Sequence, residues 1–597
     1  MQLSRPHKWL LIGLLLCGSL ACAGIFGIRY WSSSQTHGRA AIPNTLVPID
    51  FSTPDALIRS QALSSLPKDL LRVPLLKKTL TEEFAFYYEE QESRLSLAGT
   101  LRRLAYEHQL NIGDKLIQQV LDSPAELALW RGPNGKLEYW MLTLEQNLVA
   151  KAITTLATLT LDDSQLSKMG TFQVSGSTEP LYLLNYGYQH QLVMASHDNR
   201  LVLLSEPGML LGFEHPKQDA PPQHDEDNTD KETNPDSGKA AAEEEPHLLS
   251  SQLAWLEKSL QPEQEQQALS QQWQLPEQQQ GHSLLVSTNY LSFGYQRFFP
   301  AIDALRFDFD GKQWASHALL DNGALKQQTW NSETLWSAIP TAPAACASLP
   351  IDWASVTELT EKLMPSSPEW SKAMGAMNGP MATCWYEKSR LAAPLFVARF
   401  DDEKQAQQYR QILGKLFEQH IGAREFIRGS RFPVEQQDTQ GAHYWKRVVS
   451  ARYGSQLAAD EPFKDELSSA RFFPVALATS GPWLFFSPDG KLVEQAVAVQ
   501  QKRYPSQGDG LGAADRTIAI LTPATLASLI EREMYAALPG QDEPLFRDAA
   551  KIYLAPRLKA LAEYPPLFIA LQHVPGGGVL PLGNGKEWQP LDIQFAK

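Results

Sequence analysis

Cysteine is scarce in this chain: four residues among 597. Two of them, Cys17 and Cys22, lie inside an apolar run, which leaves Cys346 and Cys384 to the folded part. Neither sits in a C-x-x-C pair, so the usual spacing of a zinc or redox motif is missing. Two readings stay open for this pair, one disulfide or two buried free thiols. A bridge would be worth roughly 4 kcal/mol in the chain-entropy model, before any strain. Basic charge is short as well. With 53 Lys and Arg against 67 Asp and Glu the formal net charge is −14, and a nucleic-acid surface, which needs clustered cations, is not expected. Half of that charge is local, because residues 216–247 hold ten acidic and three basic side chains, a net of −7.

Signatures of catalysis are equally thin. The chain has no G-x-S-x-G and no H-E-x-x-H motif. Ser65-Leu66-Pro67-Lys68 fits S-x-x-K, but no K-T-G or S-D-N accompanies it, and Pro67 is expected to break the helix that such a site needs. Gly583-Asn584-Gly585-Lys586 lacks the Ser or Thr and the spacing of a P-loop. Asp308 and Asp310 share a strand face, yet the third oxygen ligand and terminal Glu of a calcium loop are absent, and a hairpin turn is the cheaper explanation. The 13 histidines are scattered. His190 and His197 bracket a strand at odd spacing and should face opposite ways. His108 reads as an edge residue of an apolar stripe rather than a ligand. No catalytic, cofactor or metal residues are assigned, and no cofactor is expected.

One long apolar run is present. Residues Trp9 to Ile28 are twenty in number and uncharged, enough for a helix of about 30 Å, the thickness of the hydrocarbon core. Arg5, His7 and Lys8 precede it, and Arg29, Tyr30 and Trp31 follow. A signal peptide cleaved after Ala21-Cys22-Ala23 and a lipoprotein modified at Cys22 are alternatives. Both would leave the apolar start Gly24 to Ile28, so an uncleaved anchor is expected. It implies a single-pass inner-membrane protein with its C-terminal ectodomain in the periplasm.

The rest of the chain repeats itself. Val47-Pro48-Ile49-Asp50-Phe51-Ser52 returns as Leu349-Pro350-Ile351-Asp352-Trp353-Ala354. Each copy is expected to enter a helix, capped by Thr53 with Pro54 at its first position, or by a Ser355/Glu358 capping box. Asp50 and Asp352 then read as favourable charges at helix starts rather than as catalytic groups. Leu129-Trp130 to Glu145 matches Cys384-Trp385 to Asp401, each a hairpin followed by a helix, Gln146 to Leu156 and Glu403 to Phe417. His190 to Leu210 resembles Val475 to Gly490, with alternating strands and tight turns. Leu95 to Leu121 carries an extra helical stripe in the first copy. Residues 216–246 have almost no large apolar side chains and are expected to be disordered. The Gln-rich stretch 261–280 holds Leu269 and Trp273 at i, i+4, as on a surface helix.

Several short blocks carry a family likeness: Leu66-Pro67-Lys68-Asp69-Leu70-Leu71 with Leu75-Leu76, Phe84-Ala85-Phe86-Tyr87-Tyr88-Glu89, Arg94-Leu95-Ser96-Leu97-Ala98-Gly99 and Ala128-Leu129-Trp130-Arg131-Gly132. They resemble the YfaA-like proteins of Gram-negative bacteria, a family named as a domain of unknown function, over most of the chain after the anchor. The resemblance implies a cell-envelope setting and, as a protein partner, an α2-macroglobulin-like protein, near whose genes the family is often encoded. It supplies no catalytic residues.

The expected fold is α+β, two related halves of antiparallel sheet with packed helices behind one N-terminal transmembrane helix. The boundaries are 1–31 for the anchor, 45–215 for the first repeat, 216–247 for the acidic linker, 248–340 for the completion of the first half, and 345–597 for the second repeat with its C-terminal β-helix-β unit. The expected function is an interaction or accessory role in the envelope. A hydrolase of envelope polymers and a carrier of an apolar ligand are the alternatives.

Overall fold

Alternating apolar runs broken by Asp-Asn, Ser-Gly and Gly-Pro turns dictate strands joined by tight hairpins, and antiparallel sheet dominates the computed structural model. It describes residues 46–47, 49–63, 65–72, 123–145, 166–186, 190–212, 247–261, 268–276, 281–325, 330, 332–363, 368–422, 426–427, 430–439, 441–450, 472–537, 550–572 and 585–595. The apolar run 9–28, the expected stripe with His108, the expected helix 146–156, the expected linker 216–246 and residues 583–584 lie outside these. Among the described residues no helix is long and apolar enough to cross a membrane. The chain divides into two compact units.

One unit holds described residues 46–66 and 123–282. Its strands are β1 (Ala56–Ser60), β2 (Ala125–Arg131), β3 (Leu137–Glu145), β4 (Leu166–Val174), β5 (Ser177–Tyr186), β6 (His190–His197) and β7 (Arg200–Leu204). Antiparallel pairing gives the order 1-2-3-7-6-5-4. Two-residue turns close the outer hairpins: Ser175-Gly176 and Asp198-Asn199, with Ser175, Gly176 and Asp198 at positive φ. A minimal pair, β8 (Leu211–Gly212) with β9 (His247–Leu248), follows. Strand β10 (His282–Ser287) then leads into the second unit.

The second unit holds described residues 67–72 and 283–595. It includes residues 283–340, which the sequence pattern places with the first half. Its strands are β11 (Ile302–Phe309), β12 (Trp314–Asp321), β13 (Ala345–Leu349), β14 (Met381–Trp385), β15 (Leu395–Arg399), the small pair β16 (Phe426–Ile427) and β17 (Ser430–Arg431), then β18 (Glu435–Thr439), β19 (Ala442–Ser450), β20 (Phe472–Ser480), β21 (Trp483–Ser487), β22 (Thr517–Leu521), β23 (Leu567–Leu571) and β24 (Lys586–Phe595). Pairing gives the order 11-12-24-23-22-13-14-15-21-20-19-18. The last seven of these follow the same order as the seven strands of the other unit.

Following the ladders rung by rung aligns the two seven-stranded sets. The rung Leu57, Ala128, Met141, Leu204, Val193 corresponds to Cys346, Cys384, Leu395, Ser487, Ala476. This register corrects three expectations. Trp385 corresponds to Leu129, one residue away from Trp130, so the two tryptophans occupy opposite sheet faces. The Pro-Ile-Asp blocks are not equivalent either, since 47–52 precedes β1 whereas 349–354 follows β13. Finally, no helix begins at Thr53 and Pro54. Asp50 instead holds a turn, accepting from Ser52 N (2.8 Å), Ser52 Oγ and Thr53 Oγ1, and the chain goes straight into β1.

The second unit's helices include α1 (Leu66–Arg72, from Pro67 on), α2 (Trp353–Leu363), α3 (Pro368–Gly375), α4 (Glu403–His420), α5 (Gly490–Gln500), α6 (Pro523–Ala537) and α7 (Ala555–Ala562). Pro67 falls within the first turn of α1, where its missing N–H has no intrahelical partner to lose, so it does not break the helix. Helix α2 starts two residues before the expected cap, because Asp352 accepts from Ala354 N and Ser355 Oγ, while Glu358 pairs with Lys362. Helix α4 is capped by Asp402, which accepts from Gln405 N at 2.8 Å. Gly414 lets α4 settle onto the buried Trp445, since a Cβ there would stand 2.4 Å from the indole nitrogen.

Candidate functional site

Helices α2, α3 and α4 each present an apolar stripe to the same sheet face. Trp353, Val356, Leu359 and Thr360 lie on one side of α2, and Leu413, Leu416, Phe417 and His420 on one side of α4, both at helical spacing. Trp370 and Met374 on α3 continue the lining through Met377 to Met381 at the start of β14. The sheet contributes Phe396 and Ala398 from β15, Leu477 from β20, and Leu484 and Phe486 from β21. The stripes do not close over this face. They leave a cavity of about 840 Å³, with Tyr295, Phe298 and Phe299 at one end.

Polar groups are almost absent from it. Thr360 is buried, but its hydroxyl donates back to Val356 O at 2.6 Å. Tyr295 and His420 both line the cavity and are solvent-exposed, so they mark its mouth. Beside them Phe293 is 69% and Tyr295 62% exposed, in a loop that Phe293 and Gly294 turn at positive φ. Arg297 lies over the Phe298 ring, and Phe298 O accepts from Asp352 N, which ties the loop to the start of α2. The cavity backs onto a packed core of Phe400, Leu413, Phe417 and Trp445, so its walls are held.

The polar residues weighed from sequence do not gather. Asp50 is confined to its turn. Burial alone would raise its carboxyl, and the hydrogen bonds from Ser52 and Thr53 outweigh that and hold it below the usual range. Asp352 caps α2. His197 pairs with Glu179 at 2.9 Å, and His190 opens β6 opposite Tyr186. Asp310 closes the β11–β12 turn by accepting from Lys312 N and Gln313 N, whereas Asp308 pairs with Arg306 and with His317 at 3.3 Å. Burial lowers the His317 pKa, as does Arg306 beside it, against the pull of Asp308. Ser65 donates to Ala62 O and lies 3.3 Å from His282 Nε2, in a buried network with Ser60 that fixes the turn after β1. Among the described residues, no three His, Cys, Asp or Glu are placed to hold a metal.

Cys346 and Cys384 face each other across β13 and β14, both buried, with their sulfurs 1.96 Å apart, at bonding distance. They belong to the core of the opposite sheet face, among Tyr386, Leu395, Val397 and Phe485. No local sequence signal marks the cavity. A lining stripe on a helix has the same periodicity as a core stripe, and only the mismatch between covering helices and sheet distinguishes them.

Comparison with known proteins agrees with the resemblance read from the short blocks. The chain is 32% identical over 598 residues to the "Uncharacterized protein YfaA" of Escherichia coli (strain K12), covering 98% of this chain and 99% of that protein. No solved structure matches this chain. The model of DUF2138, described as "Uncharacterized protein conserved in bacteria", matches residues 10–594, and the chain belongs to that family.

Proposed function

We propose that this chain is a membrane-tethered binding protein of the cell envelope, and that it works by taking an apolar group into the cavity between α2, α3, α4 and the sheet. The observation that carries the reading is the cavity itself. About 840 Å³ falls within the range of roughly 300–1,000 Å³ typical of ligand sites. An apolar recess of that size left facing water is costly unless something covers it. The scattered polar residues support binding over hydrolysis, since acid–base or nucleophilic chemistry needs two groups within about 3 Å in a cleft. The twenty-residue apolar run supports the tether, with the ectodomain facing the periplasm. An α2-macroglobulin-like protein stays the protein partner that the family resemblance suggests. In an oxidising compartment the facing Cys346 and Cys384 form a bridge. The matching strand orders of the two seven-stranded sets support a duplicated ancestor.

The test is complementation of a chromosomal deletion. Ala398→Phe or Met377→Trp fills the cavity and should abolish complementation while the protein stays protease-resistant. Asp50→Ala, Asp352→Ala, His190→Ala and His197→Ala should complement. Full activity of both folded cavity-filling variants rejects the binding reading, and inactivity of a folded polar variant favours the hydrolase.

A further inference from the structure

We infer that the occupant of this cavity is the hydrocarbon chain of a membrane lipid, entering past Phe293 and Tyr295. The inference rests on the reading of the cavity as the working site. Its first support is the hydrogen-bonding inventory of the lining. Thr360 is already committed to Val356 O and the Trp353 indole to Gly379 O at 2.9 Å, while Tyr295 and His420 sit at the mouth. An extended peptide would bring N–H and C=O groups that find no partner there, each costing about 1–3 kcal/mol. A helix satisfies its own backbone, but two turns of one, about 10–12 Å across, fill roughly 1,000 Å³, so it could insert only the side chains of one face into about 840 Å³. A hydrocarbon chain asks for no polar partner.

The mouth points the same way. Phe293 and Tyr295 are more than three-fifths exposed, and Arg297, two residues on from Tyr295, lies over the Phe298 ring. Aromatic rings beside a cation suit a bilayer interface, where the ring meets the acyl boundary and the cation the headgroups. Met374, Met377 and Met381 add unbranched, polarizable side chains to the lining, which suit a hydrocarbon chain. The tether supplies proximity. Seventeen residues separate Ile28 from Leu46, the first residue described, and at full extension they reach about 60 Å. The ectodomain therefore never leaves the neighbourhood of the bilayer.

The experiment uses the full-length protein in native membrane vesicles loaded with phosphatidylethanolamine that carries a diazirine in one acyl chain. After irradiation, peptide mass spectrometry locates the adducts. The N-terminal segment should be labelled in every variant and serves as the internal control. The expected result is further labelling of peptides containing Met374, Met377 or Phe417. Ala398→Phe should cut that cavity label at least tenfold, and the Phe293→Ser/Tyr295→Ser double variant should cut it several-fold. Labelling confined to the N-terminal segment overturns the inference. If Ala398→Phe still fails to complement in that case, the binding reading stands and an amphipathic helix becomes the occupant. If Ala398→Phe complements, both fall.

Discussion

The two seven-stranded sets share strand order and register, and they differ in what sits on corresponding rungs. On one face, the first set gathers Arg59, Glu126, Glu145 and Arg200, where the second has Ser348, Ala382, Arg399 and Trp483. An ionic cluster in the first set stands where the second has a more apolar and aromatic one. In the first, Arg200 pairs with Glu145 at 3.3 Å and donates to Gln261 O. In the second, the same rung sets the Arg399 guanidinium over the Trp483 ring. On the other face, Leu142, Leu144, Leu201 and Leu203 correspond to Phe396, Ala398, Leu484 and Phe486, which line the cavity. Backbone pairing tolerates all of this because ladder hydrogen bonds do not read side chains. What distinguishes the two sets lies in the side chains that a common pairing scheme presents.

The largest expected effect concerns the rung where Leu57 and Ala128 stand in place of Cys346 and Cys384. Replacing both cysteines by alanine should lower stability by about 3–4 kcal/mol in the entropic model, measured by denaturant titration against the oxidised parent. The comparison itself is broken or sharpened by transplanting the pair. Leu57→Cys with Ala128→Cys, expressed in the periplasm, should form a second bridge visible by mass. Free thiols at both positions, in a folded protein, would show that the register alignment fails at β1.

How far the sequence reaches is visible in the same residues. The hairpins β6–β7 and β20–β21 and the helix α4 are legible, because period-2 runs with Asp-Asn or Gly-Pro turns and an Asp402 cap are local signals. The match of Trp130 with Trp385 is misleading, since an identical residue one place out of register looks better than the true partner, Leu129. Asp50 looks like a helix cap because Asp before Ser-Thr-Pro serves caps and turns equally well. The cavity left no local trace, because its lining comes from seven separate segments between residues 295 and 486.

A smaller effect separates the two halves by pH. Glu126, at the position of Ala382, is 2% exposed, and burial pushes its carboxyl up from 4.5 to about 7, against the opposing hydrogen bond from Ser270 and the charge of Arg59. A carboxyl raised in the folded state favours folding fully below its unfolded value near 4.5. That contribution is lost as pH rises through about 7. The shift corresponds to about 3 kcal/mol at its limit. Glu126→Gln keeps a hydrogen-bonding group without the charge and should flatten the fall in melting temperature between pH 5 and pH 8, with the gain at the alkaline end. An unchanged slope would place the titration elsewhere.

The smallest effect tests whether the Glu145–Arg200 and Arg399–Trp483 rungs do the same job by different means. Glu145 is 40% exposed at its side chain, so solvent screening limits the ion pair to about 0.2–1 kcal/mol, despite the buried guanidinium. A guanidinium over an indole at a partly exposed position is worth about 0.5–1 kcal/mol, much the same. The two differ in salt dependence, because added ions screen a charge–charge contact more than a cation held against a ring face. Double-mutant cycles in low and high salt should therefore show the Glu145–Arg200 coupling shrinking while that of Arg399 and Trp483 holds. Single replacements are poor substitutes. Arg200→Ala also frees Gln261 O, and Trp483→Ala opens the core around Phe485. Equal salt sensitivity of both couplings would mean that Arg399 acts through an anionic neighbour such as Asp401 rather than through the ring.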